Sequence, residues 1–160
     1  MQRVTHILLA TDGSSHALAA ARFLRSLVAP GLVEQITVLA VTQPISSNPF
    51  FAESQVGLGI AIPQETWETL ARTAQAQAQE AVQRTAKELV DLAPTIEALV
   101  RDGSPADEIV HAARDLHVEL IVLGSRGWGT VRSVLLGSVS ERVLHLAHCP
   151  VLVVRPPAGA

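Results

Sequence analysis

Five short apolar runs alternate with helix-patterned stretches, and this alternation predicts an α/β fold built on an open five-stranded parallel sheet. Two further observations support it. The first, second, fourth and fifth runs are apolar at almost every position, as strands covered on both faces should be. A chain of 160 residues is also long enough for one domain with a substantial core, so residues 1–160 are expected to form a single unit.

The first run, His6–Thr11, is followed by Ser14 and Ser15, either of which can cap a helix running to about Ala29, before Pro30-Gly31. The second run is Ile36–Val41. Residues 43–63 then break the rhythm with Pro44, Pro49, Gly57, Gly59 and Pro63, with Phe50 and Phe51 between them. A loop of this length is a functional flap or a disordered segment. A long helix is predicted from about Gln64 to Leu92, its buried stripe Leu70, Ala74, Ala78, Ala81, Val82, Ala86 and Leu89. The third run, Thr95–Val100, carries Glu97 and partly alternates, which suggests an edge strand. Ser104 caps the next helix, with Pro105 at its first position and Asp107 and Glu108 in its first turn. Leu120–Leu123 is the fourth strand. A last helix starts at Gly137-Ser138 and ends near Ala147, and Val151–Val154 is the fifth strand. Right-handed crossovers leave few topologies for such a chain, and a Rossmann-like, flavodoxin-like three-layer sandwich with two units wound on each face fits.

Composition narrows the function. The chain is 48% hydrophobic and 17% charged, which excludes a disordered protein. A net charge of −3 gives no electrostatic footprint for nucleic acid. Apolar runs of membrane-spanning length are absent, and Ile7-Leu8-Leu9-Ala10 is cut by Asp12, so neither a membrane span nor a leader is expected. The single cysteine, Cys149, has no partner for an internal disulfide, which points to a reducing, cytoplasmic setting. Lys87 is the only lysine, which rules out a P-loop lysine.

The most informative stretch is LIVLGSRGWGTVRSVLLGSVS, from Leu120 to Ser140. It reads as a strand, a loop punctuated by Gly124, Gly127 and Gly137, and a helix start at Ser138, Val139 and Ser140. A helix start presents unpaired amides and the positive end of a dipole, which is an anion site. Glycines let backbone approach a ligand closely. The expected ligand is a phosphate chain. In open parallel sheets ligands bind at strand carboxyl ends where the winding reverses. That rule sets Asp12, at the end of the first strand, across a cleft from Gly124. Asp12 is either a turn former or a ligand to ribose, phosphate or Mg²⁺. Arg126 suits phosphate oxygens, whereas Arg132 reads as a solvated surface charge. Trp128 covers a base or shields the loop. Ser138 and Ser140 donate to phosphate, or cap and pack the helix. His145 and His148 read as surface histidines, and Cys149 as a packed thiol without catalytic use.

The spacing Gly124-x2-Gly127-x9-Gly137-Ser138 resembles the nucleotide-binding signature of the universal stress protein family. ILLATDGSSHA at 7–17 resembles that family's opening strand and turn, and SVSERVLHLAHCPVLVVRP at 138–156 its last helix and strand. The resemblance spans about Val4 to Pro156. It implies strand order 3-2-1-4-5 and ATP as ligand, with Mg²⁺. It also implies adenine reading by the backbone of Val41, with Ala10 and Thr11 on the same wall and Asp12 in the nucleotide site. With that order Val151–Val154 is a bare edge that invites pairing, so a homodimer through this strand is expected, as in the family. The leading function is an ATP-binding regulator or sensor of stress responses, with weak hydrolysis or autophosphorylation on Ser138 or Ser140 at most. The alternatives are an adenylate-forming or nucleotide-hydrolysing enzyme of related fold, or a structural dimer without nucleotide. Against the enzyme, Asp12-Gly13-Ser14-Ser15 is a short, acidic turn, poorly suited to pyrophosphate.

Overall fold

The computed structural model describes residues 4–44, 63–126 and 136–155. In chain order these form β1 (His6–Ala10), α1 (Ser15–Leu27), β2 (Gln35–Thr42), α2 (Gln64–Glu88), β3 (Thr95–Asp102), α3 (Pro105–Asp115), β4 (Leu120–Gly124), α4 (Ser138–Leu146) and β5 (Val151–Val154). The strands make one all-parallel sheet in the order β3-β2-β1-β4-β5. The interrupting segment at 43–63 lies outside the described residues except at its ends.

Side chains alternate across the pleat and so build two cores. Ile7 and Leu9 of β1 join Ala20, Ala21 and Leu24 of α1 and Val82 of α2 on one face. Leu8 and Ala10 join Ile109 and Ala113 of α3 and Val143 of α4 on the other. Ile7, Leu8 and Leu9 are essentially inaccessible, each contributing roughly 1.5–3 kcal/mol of burial. The central position of β1 explains why its run carries no polar side chain from Ile7 to Ala10.

The α1 stripe Ala17, Ala20, Ala21 and Leu24 has helical spacing, and Ser14 caps the helix by accepting the Ala17 N–H at 3.2 Å. The α2 stripe is shorter than its sequence pattern suggests. Ala78, Ala81, Val82 and Thr85 are buried, whereas Leu70 is 37% exposed. At 25 residues and about 1.5 Å rise each, α2 outruns the eight-residue strands it covers, so its first turns have no sheet beneath them. It also stops at Glu88 rather than Leu92; Leu89–Leu92 is a turn, with Asp91 inside it at φ 68°. The third strand is an edge, as Glu97 suggested, and runs on to Asp102. At the other edge Val151, Leu152 and Val153 are only half-buried. None of the described helices is long and apolar enough to cross a membrane.

Candidate functional site

A cleft of about 270 Å³ opens at the carboxyl ends of the strands, where the winding reverses between β1 and β4. Ala10, Thr11 and Asp12 line it from the end of β1, and Val41 lines it from β2. Gly124 and Arg126 come from the end of β4, and Gly137, Ser138, Val139 and Ser140 from the start of α4. These are all the residues the sequence singled out, apart from Gly127. Gly127, Trp128 and Arg132 lie outside the described residues.

One end of the cleft is polar and ends on a helix. Gly137 is the N-cap of α4 and offers no side-chain acceptor to the amides of the first turn. Ser138 is exposed at the first helical position. The other end is apolar: Leu39 and Val41 of β2 face Pro105 and Ile109 of α3. Among the described lining residues only Asp12 and Arg126 are charged. The cleft therefore offers an apolar slot at one end, a helix N-terminus at the other, and a carboxylate between strand ends.

Local hydrogen bonds hold these groups in place. Thr11 Oγ1 sits 2.8 Å from Thr85 Oγ1 in a fully buried pair and accepts the Gly13 N–H at 3.1 Å. Asp12 Oδ1 accepts the Ser14 N–H at 2.9 Å, an Asx turn that leads into the α1 cap. Ser125 ties three elements together. Its N–H donates to Val154 O at 2.8 Å, and its carbonyl accepts the Gly137 N–H at 2.7 Å. The edge strand β5 is thus bonded through one residue to the start of α4. The Ser140 hydroxyl donates to Gly124 O at 2.9 Å, so its single hydrogen is committed to the end of β4.

The glycines do different work from that expected of them as a group. A Cβ on Gly124 would meet His16 C and O at 2.8 Å and Ala17 N at 3.1 Å, all backbone of α1. Gly124 is therefore required for α1 to pack on β4, in addition to any ligand. Gly124→Val is accordingly expected to destabilise the fold by about 3 kcal/mol in thermal or denaturant unfolding. Gly137 is different. Its φ is −74° and a Cβ there would meet nothing closer than Ser125 O at 3.4 Å.

The apolar wall was not anticipated. Leu39 and Leu123 read as core residues. Pro105 reads as the first position of a helix capped by Ser104, and Ile109 is not singled out. The strand order was the usable signal: with β3 beside β2, the first turn of α3 stands over the end of β2. His145 and His148 are exposed, and burial pushes the half-buried Cys149 thiol above its ordinary pKa. No group of three or more His, Cys, Asp or Glu among the described residues is placed to hold a metal ion.

An open parallel sheet with a helix N-terminus at its switch-point cleft is the architecture of α/β proteins that bind anionic ligands. The chain belongs to the universal stress protein family, whose model matches residues 3–155. It is 33% identical over 152 residues to the universal stress protein MJ0531 of Methanocaldococcus jannaschii, covering 94% of this chain and 82% of that one. The solved structure of MJ0577 from the same organism superposes with a TM-score of 0.79 at 27% identity, covering 99% of this chain and 100% of the other. A universal stress protein family member of Arabidopsis thaliana, solved with AMP bound, shares the fold with a TM-score of 0.63 at 18% identity. That match covers 96% of this chain and 93% of that one.

Proposed function

We propose that the cleft binds an adenine nucleotide and that the chain acts as a nucleotide-dependent regulator or sensor in stress responses. The observation that carries this is convergence. Residues from the ends of three strands and the start of α4, singled out for a phosphate-bearing ligand, line one cleft with an apolar slot and an anion end. The base occupies the slot between Val41 and Ile109. The phosphates lie at Gly137–Ser140, where amides and the helix dipole favour negative charge. Arg126 adds a cation on that side. The ribose falls between, at Asp12. AMP in the Arabidopsis relative supports this choice of ligand.

Mg²⁺ fits as a companion of the phosphates and not as a resident of the protein. Asp12 is the one carboxylate in the described lining, and Mg²⁺ is commonly held by one or two carboxylates together with substrate phosphates. Asp12 would hold it, and the ion would neutralise phosphate charge. The described lining contains no histidine and no second carboxylate to activate water, so binding fits this site better than rapid hydrolysis. The bound chain works as a homodimer paired through Val151–Val154. The Ser125 bridge gives nucleotide occupancy a direct route to that edge.

Calorimetric titration of nucleotide-stripped protein with ATP, with and without Mg²⁺, tests the reading. Saturable binding tighter than about 1 mM is expected. Ser138→Asp separates site from fold: a carboxylate at the first helical position stabilises α4 by roughly 0.3–1 kcal/mol but repels phosphate. Its melting temperature should hold or rise while ATP affinity falls at least about tenfold. Unchanged ATP affinity would remove the phosphates from α4. Sedimentation equilibrium should give twice the 17.0 kDa chain mass.

A further inference from the structure

A second, larger groove of about 610 Å³ branches from the cleft. The two share Thr11, Asp12, Val41 and Pro105. The second runs from this junction along α2. Ala74, Ala78 and Ala81 form its wall, and Gln77, Glu80 and Arg84 stand along it. The junction lies at the base-and-ribose end of the first cleft. Gly124, Gly137 and Ser138, at the phosphate end, line the first cleft alone. A ligand filling both spaces therefore branches from its ribose and not from its 5′-phosphate tail. The first cleft alone, at about 270 Å³, is at the small end for a ligand site, which commonly has roughly 300–1,000 Å³.

Arg84 supplies the chemistry. Arg22, Arg72, Arg101 and Arg142 each pair with a carboxylate. Arg84 has no ion-pair or hydrogen-bond partner among the described residues, although Glu80 stands one turn before it on the same helix. Its planar fork matches phosphate oxygens. Gln77 adds an amide that donates without charge. Glu80 and Asp12 are the opposing charges, one on α2 and one at the junction.

We propose that the second groove receives a phosphate esterified to the ribose, at the 2′ or 3′ oxygen of an adenine nucleotide seated in the first cleft, with Arg84 as its cation. This rests on the adenine-nucleotide reading and narrows it to a class of ligand. AMP is the reference probe because it lacks the extra phosphate. Adenosine 2′,5′-bisphosphate and adenosine 3′,5′-bisphosphate are the two test ligands. At least one bisphosphate is expected to bind about tenfold more tightly than AMP by calorimetry. Arg84→Gln should collapse that ratio towards one. Glu80→Gln should widen it, because it removes an opposing charge. AMP binding with no gain from either bisphosphate overturns the inference and leaves the nucleotide reading standing. So does a gain that survives Arg84→Gln. If neither AMP nor either bisphosphate binds, the inference falls, and if ATP also fails to bind, the nucleotide reading falls with it.

Discussion

The tripeptide Asp-Gly-Ser occurs twice after a strand, at 12–14 and 102–104, and the two copies have different uses. In the first, Asp12 folds back on the Ser14 N–H and Ser14 caps α1 through its side chain. In the second, Ser104 is the N-cap of α3 without a side-chain bond to the helix amides; its hydroxyl bonds to Asp107 instead. Asp102 accepts the hydroxyl of Thr42. Both glycines need positive φ, +77° at Gly13 and +147° at Gly103. The turns are thus alike in backbone demand and unlike in surroundings. Asp12 follows β1, the central strand beside the switch point, and lines the cleft. Asp102 ends β3 at the sheet edge, and only the next residue but two, Pro105, reaches the site. The sequence of a turn sets its shape; the position of its strand in the sheet sets its use.

Glycine replacement gives the largest expected effect and separates shape from use. Gly13→Ala and Gly103→Ala should each cost about 2 kcal/mol in denaturant unfolding, because an L side chain disfavours both backbones. Only Gly13→Ala should also weaken nucleotide binding, since its Cβ would press on Ala81 Cβ at 3.1 Å and shift Asp12. Next is the hydroxyl pair beneath the first turn. Thr85→Val keeps the shape but leaves the buried Thr11 hydroxyl with the Gly13 N–H alone, at a cost of about 1–1.5 kcal/mol, and Thr85→Ser should recover most of it. The caps should diverge as well. Ser14→Ala should cost about 1 kcal/mol, and Ser104→Ala less than about 0.5 kcal/mol, as no helix amide loses its acceptor.

The smallest effect is one of pH. The Ser104 hydroxyl, and then the Arg142 guanidinium, hold the Asp107 carboxyl below its ordinary pKa. A depressed folded pKa stabilises the protein above the unfolded value, near pH 4, and this is lost as pH falls through the folded value. Urea unfolding of Ser104→Ala should therefore show a small deficit at neutral pH that closes in stronger acid. A deficit that grows in acid would contradict the bond. Glu119 has the same sign, held down by the Thr5 N–H, then the Thr5 hydroxyl and the His6 N–H.

The strands and the cleft were legible because both depend on local features. Apolar runs mark β1, β2, β4 and β5, Glu97 marks an edge, and glycine before Ser138 marks a helix start. The rest depended on what packs against what. Leu70 has the right spacing for the α2 stripe but lies past the sheet it would cover. Gly124 reads as a ligand glycine, yet its Cβ position faces the backbone of α1, which no local pattern encodes. Ile109 and Leu39 look like core residues from sequence and become a site wall because α3 starts over the end of β2. Gln77, Glu80 and Arg84 look like the solvated face of a long helix, and they face a groove only because α2, packed over β2 and β3, passes the turn that follows β1.

The most direct test compares the two aspartates. Asp12→Ala and Asp102→Ala should be titrated with ATP and Mg²⁺ by calorimetry, alongside wild-type protein, with folding checked by thermal unfolding. The expected result is saturable wild-type binding, a loss of at least about tenfold in affinity for Asp12→Ala, and a change within about twofold for Asp102→Ala. Equal losses in the two variants, or no loss in Asp12→Ala, would contradict a nucleotide site at the β1–β4 switch point.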